Sequence, residues 1–132
     1  MNAPVILITG AGRRVGAEIA RALHAAGSRV AIHYRSSAHD AEALAAELNA
    51  VCADSAAAFK ADLLDVAALP LLVAAVVTRF GRLDGLINNA SSFFPTKVGA
   101  VDTAAWDDLV GSNLKAPLFL AQAAAPHLRA AG

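Results

Sequence analysis

The chain has 132 residues, which is enough for one domain but short for two. Its 11 basic and 11 acidic residues cancel, so no net positive charge favours binding to nucleic acid or to an anionic membrane. Hydrophobic residues make up 57% of the chain, yet its longest uncharged apolar run, residues 66–77, is too short to span a bilayer.

The start of the chain lacks the positively charged segment that is typical of a secretory signal. The single cysteine, Cys52, cannot form an internal disulfide, which fits a reducing compartment. Neither Cys52 nor the four histidines show the spacing of metal ligands, so we assign no metal site. These features favour a cytoplasmic protein.

Four apolar, β-prone runs alternate with four segments of helical periodicity. The first run, residues 5–8, precedes a glycine-rich turn at residues 10–16, and the helix after this turn ends at Gly27. The other predicted strands cover residues 29–34, 56–61 and 83–88, and the other predicted helices cover residues 40–48, 66–80 and 103–128.

This order of elements predicts an α/β fold with a doubly wound parallel sheet of the Rossmann type and helices on both faces. We expect one nucleotide-binding domain over residues 1–132. A loop covers residues 89–102, and Asp102 or Thr103 is expected to cap the last helix.

The glycine-rich turn follows a strand and opens a helix, which is the context in which such a turn binds phosphates. Gly10 and Gly12 can adopt positive φ and let a ligand approach the backbone. The helix N-terminus and two arginines add positive charge, so a diphosphate is the expected ligand. The alternative is an ordinary glycine-rich turn. The residues assigned to the cofactor here are Gly10, Gly12, Arg13, Arg14, Val15 and Gly16.

The second strand ends where the adenosine ribose lies in dinucleotide-binding folds. No acid that could bind the 2′-hydroxyl of NAD occurs between Ser28 and His39. An arginine and two hydroxyls suit the 2′-phosphate of NADP, so NADP(H) is the predicted cofactor. Arg35 could instead be a solvated charge, and His33 a strand-end side chain with a satisfied hydrogen bond. The residues assigned here are His33, Tyr34, Arg35, Ser36 and Ser37.

Two further strand ends carry polar residues. Asp62, followed by Leu63, could accept a hydrogen bond from the adenine amino group, or it could be an ordinary N-cap or loop acid. Asn89, Ala90 and Ser91 follow the fourth strand, and a buried asparagine there can tie backbone segments together. We assign all five residues to the cofactor site, because ligands bind beyond the carboxyl ends of such strands.

The loop after the fourth strand contains Phe93 and Phe94. Each ring needs either a core to pack into or a flat ligand to cover. In the last predicted helix, Pro117 has no N–H for the carbonyl of Asn113, four residues earlier. We therefore expect a bend and a free carbonyl that a water can use, or simply an ordinary proline kink.

These stretches resemble the short-chain dehydrogenase/reductase family over the whole chain, and within that family the pteridine reductases. The family's Thr-Gly-x-x-x-Gly-x-Gly corresponds to residues 9–16, with Arg14 in place of the middle glycine, as in pteridine reductases. Residues 33–37 resemble the segment with which these enzymes select NADPH. Residues 88–96 resemble their substrate loop, where the ordinary family pattern is Asn-Asn-Ala-Gly.

The resemblance implies roles for four residues. Phe93 would stack a pterin ring against the nicotinamide, and Ser91 would hydrogen-bond the pterin or a cofactor phosphate. Arg14 would reach from the diphosphate towards the pterin. Asn113 matches the structural asparagine of the family's catalytic tetrad, whose main-chain carbonyl holds a water in a proton relay.

The family's catalytic Tyr-x-x-x-Lys is absent, since the only tyrosine is Tyr34 and no lysine follows it by four residues. Family members continue well beyond the length of this chain. We therefore expect the catalytic pair after Gly132 and a fold that is truncated after its fourth strand–helix unit. An unpaired fourth strand would also be an exposed apolar edge.

The sequence thus predicts an NADP-dependent oxidoreductase that reduces a pterin and, as is usual for the family, forms a homo-tetramer. One alternative is a reductase of the same family that acts on a 3-oxoacyl thioester or another carbonyl. The other alternative is a catalytically silent nucleotide-binding module. The natural substrate and the direction of the reaction are left open.

Overall fold

The computed structural model describes residues 3–132. Met1 and Asn2, which belong to the segment considered for a secretory signal, lie outside the described residues. In chain order the elements are β1 (Val5–Ile8), α1 (Arg14–Ala25), β2 (Arg29–Tyr34), α2 (Ala38–Val51), β3 (Ala56–Lys60), α3 (Ala68–Phe80), β4 (Gly85–Ile87), α4 (Thr103–Val110), a π-helical turn (Gly111–Lys115) and α5 (Ala116–Ala131).

The four strands form one parallel sheet in the order β3-β2-β1-β4. β1 lies between β2 and β4, which is why its apolar residues Val5, Leu7 and Ile8 are fully buried. The chain runs outwards from β1 to β3 and then returns to the other side of β1. The adjacent ends of β1 and β4 therefore form the topological switch point, where open α/β sheets bind their ligands.

Helices cover both faces of the sheet. On one face α1 and α2 pack against Val30 and Ile32 of β2, and on the other face α3 and α5 pack against Leu7 and Ala31. Because successive residues of a strand point to opposite faces, each strand contributes to both cores. This arrangement confirms the predicted doubly wound parallel α/β fold.

Several element boundaries differ from the prediction: α2 covers Ala38–Val51 rather than residues 40–48, β3 ends at Lys60 rather than at residue 61, and β4 ends at Ile87 rather than at residue 88. At two other boundaries side-chain hydrogen bonds accompany the difference. β4 begins at Gly85 rather than at residue 83, since the carboxylate of Asp84 accepts a hydrogen bond from the N–H of Val5 at 2.9 Å. The neighbouring Arg82 guanidinium lowers the pKa of Asp84. α3 begins at Ala68 rather than at residue 66, since Asp65 turns the chain first and accepts a bond from the N–H of Ala67 at 3.1 Å.

The helix predicted over residues 103–128 is wrong as a single element. Asp102 rather than Thr103 is the N-cap of α4, and its carboxylate accepts a hydrogen bond from the N–H of Ala105 at 2.8 Å. A π-helical turn then interrupts the helix just before Pro117, and the N–H of Ala116 donates to the carbonyl of Gly111. A proline without an N–H and a π turn are both known causes of irregular helices, so the sequence located the irregularity but not its kind.

None of the helices within residues 3–132 has both the length and the apolar character needed to cross a membrane.

Candidate functional site

A cavity of about 560 Å³ lies at the carboxyl ends of the strands, against the switch point between β1 and β4. All 16 residues that the sequence assigned to the cofactor line this cavity. Four more residues line it that sequence reasoning did not single out: Leu64, Ser92, Asp108 and Ser112. The structure thus brings the predicted residues together, and their binding of a cofactor stays a prediction.

The glycine-rich turn is shaped by two residues in the left-handed region. Gly10 has φ +61°, as expected, whereas the second such residue is Arg14, with φ 53°, and not Gly12. Non-glycine residues in this conformation are uncommon and concentrate at functional sites. Gly16 is needed for space, because a Cβ there would collide with the carbonyl oxygen of Gly10 and lie 2.6 Å from Nδ2 of Asn89.

A buried histidine connects the turn to the neighbouring strands. The ring of His33 is 2% exposed, and its Nδ1 accepts a hydrogen bond from the N–H of Gly10 at 3.0 Å. Its Nε2 donates to the carbonyl of Ala61 at 2.9 Å. Burial lowers the pKa of His33, and the bond to Ala61 offsets part of this effect. Both ring nitrogens of His33 are therefore occupied, as expected for a strand-end side chain with satisfied hydrogen bonds. The ring lines the cavity but has no spare donor for a ligand.

A second connection joins β1 to the loop after β4. The side chain of Asn89 donates to the carbonyls of Thr9 and Gly10, both at 3.1 Å. The buried hydroxyl of Thr9 accepts hydrogen bonds from the N–H groups of Asn89 and Ala90, at 3.0 and 2.9 Å. These bonds hold the two sides of the switch point together. The sequence included Thr9 in the family motif but gave it no role of its own, since its partners lie 80 and 81 positions away. Asn88, the other asparagine of this segment, is exposed.

The arginines near the end of β2 are held by polar partners. Arg13 donates from Nε and Nη2 to the hydroxyl of Ser37, at 3.1 and 2.5 Å, and its Nε lies 2.9 Å from Oδ2 of Asp40. The Nε of Arg35 lies 3.8 Å from Oδ1 of Asp62. This side of the cavity therefore combines two guanidinium groups with a hydroxyl, a set that suits a phosphate.

Asp62 also shapes its own loop. Its Oδ1 accepts a hydrogen bond from the N–H of Leu64 at 3.0 Å, which is the behaviour of a loop acid. The side chain is still half exposed and lines the cavity, so a contact with the adenine stays a prediction.

The π-helical turn fixes the loop that carries Ser91 and Phe93. Nδ2 of Asn113 donates to the carbonyl of Ser92 at 2.9 Å, and the hydroxyl of Ser112 accepts from the N–H of Ser92 at 3.2 Å. Asn113 does not itself line the cavity, whereas Ser92 and Ser112 do. The buried Oδ1 of Asp108, one helical turn before Ser112, has no hydrogen-bond partner among residues 3–132.

The two phenylalanines of this loop differ. Phe93 is 89% exposed and Phe94 is 37% exposed, so Phe93 does not pack into a core. Phe93 lies outside the cavity lining. Its exposure rules out the interpretation that Phe93 packs under the loop, and the proposed role in covering a flat ligand stays a prediction.

Within residues 3–132, no cluster of three or more histidine, cysteine, aspartate or glutamate side chains could hold a metal ion.

The sequence profile of the family described as "short chain dehydrogenase" matches residues 4–132. Pteridine reductase 1 of Leishmania tarentolae is 42% identical over 96% of this chain and 55% of its own length. The 3-oxoacyl-acyl-carrier-protein reductase FabG of Staphylococcus aureus is 35% identical over 92% of this chain and 49% of its own length. Hydroxynaphthalene reductase arp2 of Aspergillus fumigatus is 33% identical over 100% of this chain and 48% of its own length. The chain therefore spans about half the length of these curated relatives.

Proposed function

The chain belongs to the short-chain dehydrogenase family, whose members use nicotinamide cofactors, and we propose that residues 1–132 form the NADP(H)-binding domain of a pterin reductase. The observation that carries this proposal is a single cavity that joins a diphosphate-type turn to a cluster of two arginines and a serine.

The turn fits a diphosphate. Gly16 lets the start of α1 pack directly against the carbonyl of Gly10, so the N-terminus of the helix lies at the cavity, where it favours an anion. Arg14 adds a full charge at the same place, and no ion pair of Arg14 is found within residues 3–132. A larger residue at position 16 would close this approach.

The extra phosphate of NADP(H) would lie between Arg13 and Arg35, beside the hydroxyls of Ser36 and Ser37. All four residues line the cavity, and residues 33–37 include no carboxylate that would favour the 2′-hydroxyl of NAD instead. Asp62 and Leu63 would contact the adenine, and Asn89, Ala90 and Ser91 would line the path towards the nicotinamide.

The bound cofactor supplies a hydride, and the protein aligns the substrate and excludes water. Phe93 would cover one face of a flat pterin, with Ser91 and Arg14 as its polar contacts. Asn113 and Ser112 hold the backbone of Ser92 and so position this loop. No residue of this chain takes the part of the catalytic Tyr-x-x-x-Lys, which the sequence lacks.

The similarity to a pteridine reductase supports a pterin as the substrate, and the identity of 35% to FabG supports a second candidate, the reduction of a 3-oxoacyl thioester. Steady-state assays of the complete encoded protein with NADPH and either dihydrobiopterin or acetoacetyl thioester separate the two. A pterin reductase turns over dihydrobiopterin with the higher kcat/KM. The coding sequence after codon 132 tests the enzyme proposal itself, which requires a Tyr-x-x-x-Lys there.

We also propose that the complete protein is a homo-tetramer located in the cytoplasm. Trp106, Leu114 and Leu118 follow one another at intervals of four or eight residues along α4, the π-helical turn and α5, and they are 60–67% exposed. Such a stripe of large apolar side chains supports an interface with another copy of the chain. Sedimentation of the complete protein tests the assembly.

A further inference from the structure

Arg13 is held by a carboxylate on the side of the cavity proposed for the extra phosphate. Its Nε lies 2.9 Å from Oδ2 of Asp40, in the first turn of α2, while the same guanidinium donates to the hydroxyl of Ser37. The side chains of Arg13 and Asp40 are 63% and 44% exposed, so solvent and ligands reach this ion pair.

A carboxylate and a phosphate use a guanidinium in the same way. Both accept its N–H groups through negatively charged oxygens, and a planar guanidinium has a limited number of donors in a fixed geometry. Nε and Nη2 of Arg13 already face Ser37 and Asp40, so a phosphate that binds this side of the guanidinium shares it with Asp40 or displaces the carboxylate. A phosphate and a carboxylate that share one guanidinium also repel each other.

We propose that Asp40 is a specificity-determining residue that competes with the extra phosphate of NADP(H) for Arg13 and thereby reduces the preference for NADP(H) over NAD(H). This inference rests on the proposed NADP(H) site. Asp40 lies outside the cavity lining, so it acts through its ion pair with Arg13 and through its charge rather than by direct contact with the cofactor.

Asp40 also has a structural role in α2, which the test must distinguish from competition for Arg13. An acidic residue in the first turn of a helix stabilises that helix through its dipole. A purely structural role would change the affinity for NADPH and NADH by the same factor. Competition for Arg13 changes the affinity for NADPH alone, since NADH has no phosphate at this position.

The test is a titration of the complete encoded protein with NADPH and with NADH at low ionic strength, for the wild type and for Asp40→Asn. The matched control is Glu47→Gln, because Glu47 lies on the same helix and pairs with Arg21, away from the cavity. Asp40→Ser is the second variant, since serine is also well tolerated at a helix N-terminus. Melting temperatures show that each variant is folded.

We expect Asp40→Asn and Asp40→Ser to bind NADPH more tightly by up to about fivefold, the upper limit for an exposed ion pair, with unchanged NADH affinity. The gain shrinks at about 0.5 M salt, and Glu47→Gln changes neither affinity. Unchanged or weaker NADPH binding in both Asp40 variants, or an equal change in affinity for both cofactors, overturns the inference about Asp40 but leaves the proposed NADP(H) site standing. A wild type without preference for NADPH overturns the proposed site and this inference with it.

Discussion

His33 and Gly10 are joined by a hydrogen bond of 3.0 Å that connects the end of β2 to the glycine-rich turn. The acceptor is Nδ1, and Nε2 donates to the carbonyl of Ala61, so the ring is held as the neutral Nε2–H tautomer. Protonation of Nδ1 would remove the acceptor and leave a charge in a buried position. The geometry of the turn therefore depends on an uncharged histidine.

The first prediction concerns pH. The folded-state pKa of His33 is lowered from its ordinary value of 6.5, so the unfolded chain binds a proton at higher pH than the folded chain does. The contribution of His33 to the free energy of unfolding is complete above pH 6.5 and is lost progressively as the pH falls below it. Denaturant unfolding at a series of pH values measures this, with His33→Asn as the comparison. An equal loss in the variant would contradict the prediction.

The second prediction concerns the space at Gly16. A Cβ at this position meets the carbonyl of Gly10 and the amide of Asn89, so Gly16→Ala should destabilise the protein by about 1–3 kcal/mol and abolish cofactor binding. The control is Gly12→Ala, whose Cβ would make only ordinary contacts of 3.5 Å or more with Ala41. Thermal unfolding of both variants provides the comparison. Equal stabilities would show that the turn relaxes around the methyl group.

Much of the fold could be predicted because the apolar runs are unambiguous. Ile6 and Leu7 lie in a continuous β-prone run, and such a run is typical of a strand in the middle of a parallel sheet. The order of strands and turns also placed the residues of the glycine-rich turn and of the second strand end around one cavity.

The rest depends on contacts between segments that are distant in the sequence. Ser112 and Asp108 line the cavity only because the π-helical turn lies against the loop after β4, and no local pattern signals either residue. The hydrogen bond of Thr9 to Ala90 spans 81 positions, and the ion pair of Arg13 joins the turn to α2. Such pairs become visible only once the topology brings the segments together.

The third prediction concerns Arg35. Arg35→Asp removes one positive charge from the proposed phosphate site and adds a negative one, so NADPH binding should weaken by about 1–3 kcal/mol, the range for charge-assisted hydrogen bonds. Arg79→Asp serves as the control, since Arg79 pairs with Asp54 away from the cavity. Fluorescence titration with NADPH measures both variants. An affinity equal to that of the wild type would remove Arg35 from the site.

The fourth prediction concerns the exposed ring of Phe93. Phe93→Ala should lower kcat/KM for dihydrobiopterin by more than it lowers the affinity for NADPH, because the ring is proposed to cover the substrate. Val98→Ala is the matched control, since Val98 is fully exposed on the same loop. Paired kinetics and NADPH titrations separate the two effects. Kinetics like those of the wild type would leave Phe93 without a role in substrate binding.

The central claim is that the cavity beyond β1 and β2 binds an adenine dinucleotide with an additional phosphate. Calorimetric titration of the complete encoded protein with NADPH and with NADH tests it most directly. We predict saturable binding of both, with NADPH bound about tenfold more tightly or better, as one charge-assisted contact would give. Equal affinities, or no binding of NADPH at all, would contradict the account.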